Sequence, residues 1–137
     1  MEGSLSDTDL VASHVRLTRE LLEALERFDC DTVSALYAED VEQIEMPNRL
    51  KPEGDRRGRA QMLSDLERSK SILRSQKYDV SNAVGAGLLV MAEYELSGVL
   101  AVPMGSLAAG DKLLGNCAVS LEFRDGLIVR QRNYDCF

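Results

Sequence analysis

The chain has 137 residues, a length typical of one domain with its own hydrophobic core, so we expect a single domain over residues 1–137. Hydrophobic residues make up 45% and charged residues 28%, an ordinary globular balance, and the net charge of -7 argues against nucleic acid as a partner. No apolar run reaches membrane-spanning length, and the N-terminus lacks the basic and apolar regions of a signal peptide, so we expect no membrane association.

The cysteine and histidine content argues against metal chemistry. Cys30, Cys117 and Cys136 are odd in number and none is in CxxC spacing, which predicts neither a disulfide framework nor a zinc site. His14 is the only histidine, which argues against histidine-rich metal sites and a Ser-His-Asp triad. We therefore expect a reduced, cytoplasmic protein without metal or cofactor. We also expect His14 to be exposed, because its helix is rich in charge.

Three helices are predicted in the first part of the chain. Residues 1–8 are polar and are expected to be frayed. Apolar residues at helical spacing predict a helix from Asp9 to Phe28, and Asp31 is the expected N-cap of a short helix over Thr32–Tyr37. The stripe of Met62, Leu63, Leu66 and Leu73 predicts a third helix over Arg59–Ser75.

Strands dominate the rest of the chain. A loop is expected over Asn48–Gly58, whose arginines we interpret as solvated, and another over Pro103–Asp111. The pair Asp125-Gly126 predicts the turn of the last hairpin. Strands are predicted at Val41–Met46, Lys77–Val84, Leu88–Val102 and Leu113–Phe123, and from Leu127 to the end.

Helices early and antiparallel strands late indicate an α+β fold. A long twisted sheet curls, and we expect it to wrap on the three N-terminal helices as a cone. The open end of such a curl leaves an internal pocket, where small-molecule sites are usual.

Polar residues at period-two spacing on three strands are the candidates for chemistry. If their faces line one cavity, close carboxylates cannot all ionise, and one pKa rises to give a general acid beside a base. On the last strand, Leu127 and Val129 are expected to precede the polar members on the same face. The three sets are Gln43 and Glu45; Glu93 and Glu95; and Gln131, Asn133 and Asp135.

Each of these candidates has an alternative interpretation. Glu93 and Glu95 can form a solvated face, with Tyr94 on the core side. Glu45 can lie on an exposed rim at its strand end, and Asp135 can be solvated near the chain end. Cys117 is interpreted as a small buried hydrophobe rather than a nucleophile. Tyrosines 37, 78 and 94 are interpreted as amphipathic core residues.

Three segments together resemble the nuclear transport factor 2-like superfamily, especially its SnoaL-like branch. They are Ala35–Val41 (ALYAEDV), Gly58–Met62 (GRAQM) and Gly126–Tyr134 (GLIVRQRNY), in this order and spacing. The resemblance implies a cone-shaped α+β barrel with a deep pocket and a homodimer through the outer sheet face. Fold alone does not settle function, because this superfamily hosts isomerases, hydrolases, cyclases, dehydratases and non-enzymes.

Members of the superfamily place their functional residues at different positions of this chain. Similarity to limonene epoxide hydrolase puts that family's base at Asn133, an amide that takes no proton from water. Its third-strand arginine and aspartate fall on Glu93 and Glu95, and its water-holding residues fall on Gln43 and Glu45. Similarity to ketosteroid isomerase puts the base near Glu45, but that family's oxyanion tyrosine falls near Leu21. Similarity to polyketide cyclases points to Asp135.

These observations lead to two hypotheses of different kinds. The first is a small pocket enzyme, an isomerase, cyclase or hydrolase, acting on a small apolar molecule. Glu45 is its expected base, with Glu95 and Asp135 as acid or charge partners. The second is a non-catalytic module for small-molecule binding or dimerisation. Residues expected to contact the substrate are Gln43, Glu93, Cys117, Gln131 and Asn133.

Overall fold

The structure is a computed structural model, and it describes residues 6–137. The helices are α1 (Asp7–Glu26), α2 (Cys30–Leu36) and α3 (Arg59–Ile72). The strands are β1 (Tyr37–Glu45), β2 (Asp55–Arg57), β3 (Leu73–Ala86), β4 (Leu89–Leu100), β5 (Lys112–Arg124) and β6 (Leu127–Cys136). Among these residues, none of the helices combines the length and the apolar character needed to cross a membrane.

The strands form one curved, six-stranded mixed sheet in the order β2-β1-β6-β5-β4-β3. β1 and β6 run parallel, and every other neighbouring pair is antiparallel. The edge strands β2 and β3 do not pair with each other, so the sheet is not closed in the described part of the chain. Three helices on such a sheet confirm the α+β fold that the order of elements predicts.

The core lies between the helices and the concave face of the sheet. Leu21 of α1 and Ile128 of β6 are fully buried there, together with Val90 and Leu121. The expectation that His14 is exposed is wrong: it is 2% exposed, and its ring stacks on Phe123 at a centroid distance of 4.4 Å. Charge on the rest of α1 marks its solvent face, whereas His14 lies on the buried stripe.

Several predicted boundaries move. α1 begins at Asp7 with Ser6 as its N-cap, so residues 7 and 8 are helical rather than frayed, and residues 1–5 lie outside the described residues. The N-cap of α2 is Asp29 instead of Asp31. The predicted loop over residues 48–58 contains β2, which pairs with the end of β1.

The last hairpin forms as predicted, but a β-bulge changes its faces. Asp125 and Gly126 have φ values of 52° and 79°, the left-handed conformation that a two-residue hairpin turn requires. Ile128 pairs with Phe123 and Arg130 pairs with Glu122, so Val129 is an extra residue in β6. The expectation that Leu127 faces inward is wrong, because it is 37% exposed while Ile128 is fully buried.

The cap of α2 gives a stability test. The Asp29 carboxylate accepts hydrogen bonds from the Thr32 backbone N–H at 3.1 Å and the Thr32 hydroxyl at 2.7 Å. We predict that Asp29→Ala lowers the free energy of unfolding in urea by about 1 kcal/mol. Asp31→Ala is the matched control and changes it by less than about 0.5 kcal/mol, because Asp31 is exposed and caps nothing. Equal losses in the two variants would contradict the assignment.

Candidate active site

A cavity of about 230 Å³ lies between the helices and the concave face of the sheet. Its wall has an apolar part from the helices and β4, and a polar part from β1, β2, α3 and β6. The apolar part includes Leu22, Leu25, Val33, Met62, Leu66 and Leu96. The polar part includes Gln43, Glu45, Arg57, Asp65, Gln131, Asn133 and Asp135. Three tyrosines, Tyr37, Tyr78 and Tyr94, also line the cavity.

A chain of hydrogen bonds orders the amides of the polar wall. The Tyr37 hydroxyl donates to Gln131 Oε1. The Gln131 amide nitrogen donates to Asn133 Oδ1 at 2.9 Å, and the Gln43 amide nitrogen donates to the same oxygen at 3.0 Å. Burial raises the pKa of Tyr37, so its hydroxyl stays protonated and remains a donor. The expected positions of Gln43, Gln131 and Asn133 on one cavity wall are therefore found.

An arginine held by two carboxylates forms the next part of the wall. Arg57 Nη2 donates to Glu45 Oε1 and Arg57 Nη1 donates to Asp65 Oδ2, each at 2.9 Å. Glu45 Oε2 accepts from the Asn48 side chain at 2.8 Å, and Glu45 Oε1 also lies 3.9 Å from Lys51 Nζ. Both oxygens of Glu45 are therefore engaged in holding the site together.

Sequence reasoning missed Arg57. It was interpreted as part of a solvated loop, yet its side chain is only 16% exposed and lies in β2, directly opposite Gln43. The sequence carries only a weak signal of this position. Asp55 and Arg57 share one face of β2, but a strand of three residues is too short to be recognised from alternation.

Asp135 differs from the other carboxylates of the cavity. Glu45 and Asp65 are paired with Arg57, whereas Asp135 has no cationic partner within 4.0 Å among the described residues. Burial raises the pKa of Asp135; a hydrogen bond with the Cys117 thiol opposes this rise, the nearby charge of Glu45 adds to it, and that of Arg57 opposes it. The carboxyl thus retains a proton more readily than an exposed aspartate does.

Two tyrosines line the same cavity as Asp135. The rings of Tyr78 and Tyr94 lie 5.3 Å apart, and both residues line the cavity. Burial raises the pKa of each hydroxyl, and the neighbouring Asp135 charge raises it further. Both hydroxyls therefore remain protonated donors near neutral pH. The interpretation of these tyrosines as core residues alone missed that they border the cavity.

The two candidate glutamates of β4 lie outside the cavity. Glu93 and Glu95 are exposed on the outer face of β4, where Glu93 accepts from the Asn82 side chain at 2.7 Å, while Tyr94 between them is 4% exposed and faces inward. The expectation that three strand faces meet in one cavity therefore holds for β1 and β6 but is wrong for β4. Alternation predicts two faces for a strand, but it does not tell which face is inside.

Cys117 is placed beside Asp135 rather than on the cavity surface. It is 6% exposed on β5, directly opposite Asp135, and it is not among the residues that line the cavity. Burial raises the pKa of its thiol to about 12, and the Asp135 charge adds to the rise. The thiol therefore stays protonated and is not a nucleophile at neutral pH.

The arrangement suits proton transfer to and from an uncharged molecule. It combines one carboxyl of raised pKa with two phenolic donors and an apolar wall. No group of three or more histidine, cysteine, aspartate or glutamate side chains in the described part of the chain is placed to hold a metal ion.

Solved structures share this architecture. A proposed polyketide cyclase from Xanthomonas campestris pv. campestris is 29% identical, with a TM-score of 0.74 over 90% of this chain and 90% of that chain. An LEH-like epoxide hydrolase from M. tuberculosis is 19% identical, with a TM-score of 0.75 over 92% of this chain and 84% of that chain. The second likeness, at this low identity, is one of fold.

Comparison of the sequence with protein families gives a direct assignment. No curated protein matches the chain. The sequence model described as SnoaL-like domain matches residues 18–131, which span α1 to the middle of β6. The matched range includes part of α1, all of α2 and α3, and most of the sheet. The chain therefore belongs to the SnoaL-like domain family.

Proposed function

We propose that the protein is an enzyme that moves a proton at a carbon next to a carbonyl group, in a small uncharged molecule. Asp135 is the proposed base and acid, and the hydroxyls of Tyr78 and Tyr94 are the proposed donors to the carbonyl oxygen. The observation that carries the proposal is that Asp135, alone among the three carboxylates lining the cavity, has no cationic partner in the described part of the chain.

Asp135, rather than Glu45 as expected from the sequence, is the proposed base. Glu45 accepts hydrogen bonds from Arg57 and Asn48, so its lone pairs are directed at protein donors rather than at the cavity. Glu95, the other expected partner, lies on the outer face of the sheet and does not line the cavity.

The proposed step needs no group beyond these side chains. The Asp135 carboxylate takes a proton from the carbon, and the electron pair of the broken C–H bond moves to the carbonyl oxygen. The resulting enolate oxygen accepts hydrogen bonds from the phenolic donors, which stabilises the negative charge in a site of low dielectric. In a substrate with a carbon–carbon double bond next to that carbon, the enolate is conjugated with it; Asp135 then returns the proton to the far carbon of that bond, the double bond moves into conjugation with the re-formed carbonyl, and the result is an isomerisation. Alternatively, the enolate carbon attacks a second carbonyl of the same molecule, a cyclisation in which that carbonyl oxygen receives the proton.

The similar structure from Xanthomonas campestris is that of a proposed polyketide cyclase, which supports this choice over hydrolysis. A hydrolase also needs a base for water. Asn133, at the position where the resembling epoxide hydrolases have that base, is an amide whose oxygen already accepts two hydrogen bonds. Asn133 also supports the alternative proposal, a module that binds a small molecule without converting it, because an amide at this position is not a base.

We also propose a homodimer through the outer face of the sheet. Val84, Met91 and Tyr134 are exposed apolar side chains on this face, at 63%, 39% and 39%. Glu93 and Glu95 lie on its β4 side, and Arg130 and Arg132 on its β6 side. A two-fold axis in the interface plane brings the acidic side of one copy to the basic side of the other, in an isologous interface.

The cytoplasmic location stays a prediction, and the three cysteines are free thiols.

The catalytic proposal predicts a loss of proton transfer in Asp135→Asn. We expect the wild type to catalyse deuterium exchange at the α-carbons of cyclohexanone, followed by proton NMR, with a rate that rises as the pH passes the raised pKa of Asp135. The variant is expected to be slower by roughly 10²- to 10⁴-fold. Glu95→Gln is the matched control and keeps the wild-type rate. Binding of the ketone without exchange in the wild type would favour the alternative module.

The same variant predicts a pH-dependent gain in stability. Because burial raises the pKa of Asp135, the folded chain binds its proton more tightly than the unfolded chain does. Stability therefore falls as the pH rises from the unfolded carboxyl value of about 4 through the folded value. We expect Asp135→Asn to melt above the wild type at pH 7, with the difference vanishing at acidic pH below both values. A variant that melts lower at pH 7 would contradict the cost of burying this carboxylate.

The dimer proposal predicts dissociation by a charge on the outer face. Met91→Glu places a carboxylate among the apolar side chains and beside Glu93, so we expect a monomer by size-exclusion chromatography with light scattering. Leu50→Glu is the matched control, because Leu50 is equally apolar and 44% exposed but lies in the loop after β1. A monomeric wild type, or equal effects of the two substitutions, would refute the proposed interface.

A further inference from the structure

Phe137 packs across the sheet onto Gly115. In the pairing of β5 with β6, Cys117 lies opposite Asp135. Two residues from this pair, toward the same end of the sheet, Gly115 of β5 stands beside Phe137, which follows β6. A Cβ atom placed on Gly115 would lie 2.9 Å from both Cδ1 and Cε1 of the Phe137 ring. The ring therefore occupies the space that any side chain at position 115 would need.

The Phe137 ring lies on the same face of the sheet as Asp135. Successive residues of an extended chain alternate between faces, so residues 135 and 137 point the same way. Gly115 has no side chain and is nevertheless buried, and Phe137 is half-buried over it. The position of a Cβ on Gly115 also lies 3.4 Å from Cys117 Sγ. The ring, the thiol and the Asp135 carboxyl therefore occupy neighbouring positions on the inner face.

We infer that Phe137 is a positioning residue for the proposed reaction, because its ring covers the side of Asp135 that faces away from the cavity and keeps water from that carboxyl. Phe137 is next to Asp135 but does not line the cavity, which places the ring on this far side. A phenyl ring offers a carboxylate neither a proton nor a charge, so it excludes water without replacing the hydrogen bonds of that water. The inference rests on the proposed function, in which Asp135 is the base.

Burial has a larger effect on Asp135 than any neighbouring charge or hydrogen bond does. A residue that contributes to this burial therefore sets the pH range in which the carboxyl accepts a proton. The titratable groups that act on this carboxyl, or on which its charge acts, are Glu45 of β1, Arg57 of β2, Tyr78 of β3, Tyr94 of β4 and Cys117 of β5. Asp65 of α3 lines the same cavity and is paired with Arg57.

Three substitutions change the ring in different ways. Phe137→Ala removes it, and Phe137→Leu replaces it with another apolar side chain that also excludes water. Gly115→Ala keeps the ring but displaces it, because a Cβ atom cannot remain 2.9 Å from two ring carbons. Gly115 is not among the residues with a positive φ, so alanine fits its backbone.

The test follows the Asp135 carboxyl carbon by carbon-13 NMR as a function of pH, on the full chain. We expect Phe137→Ala and Gly115→Ala to lower the pKa of Asp135 toward the exposed value of about 4, because water then stabilises the carboxylate. We expect Phe137→Leu to keep the pKa raised. The pH of half-maximal deuterium exchange of cyclohexanone falls in the same two variants. Leu114→Ala is the matched control and changes neither quantity, because Leu114 is adjacent to Gly115 but 52% exposed.

The double variant Gly115→Ala/Phe137→Ala tests whether Gly115 acts through the ring. With no ring to displace, the alanine at position 115 is expected to add no further shift to that of Phe137→Ala. A further shift of similar size would contradict the role of the ring. Melting temperatures of all variants show that each is folded.

The outcomes separate this inference from the proposed function. An unchanged titration of Asp135 in both Phe137→Ala and Gly115→Ala would overturn the inference, even if both variants melt lower, because the ring would then only stabilise the fold. A shifted titration in a protein that shows no exchange as wild type would overturn the catalytic proposal and support the covering role of Phe137. Exchange by the wild type with the same pH dependence in Phe137→Ala would support the catalytic proposal and overturn the inference.

Discussion

The cavity depends on one extra residue, the bulged Val129 of β6. Before the bulge Ile128 faces the core, and after it Gln131, Asn133 and Asp135 face the cavity. Because successive side chains of a strand point to opposite faces, strict alternation from Ile128 would place these three polar residues on the outer face. β6 lies between β1 and β5, so the same bulge also sets which residues of these two strands lie beside Gln131, Asn133 and Asp135.

Most polar groups of the cavity are paired with one another, and this pairing indicates which groups are free for a ligand. Tyr37 orders the amides of Gln131 and Asn133, and Arg57 holds two carboxylates. Such pairing holds the side chains of the wall in fixed positions. Asp135 differs from these groups: burial raises its pKa, and it has no cationic partner within 4.0 Å among residues 6–137.

The outer and inner faces of the sheet have separate proposed roles. Glu93 and Glu95 resembled a catalytic pair by their spacing, but they belong to the outer face, where we propose the contact with a second copy. Tyr94 between them contributes to the inner face. One segment of β4 thus supplies the proposed interface with its glutamates and one of the two proposed oxyanion donors with Tyr94.

The sequence by itself determined the local elements and the class of the fold. Helical spacing predicts α1 and α3, Asp125-Gly126 predicts the last hairpin, and period-two polar residues place Gln43 and Asp135 on candidate faces. Only the tertiary structure decided that β4 turns its glutamates outward, that His14 is buried and that Arg57 joins the cavity. These outcomes depend on pairings between distant parts of the chain, such as Tyr37 with Gln131, and local periodicity shows that a strand has two faces without showing which one the helices cover.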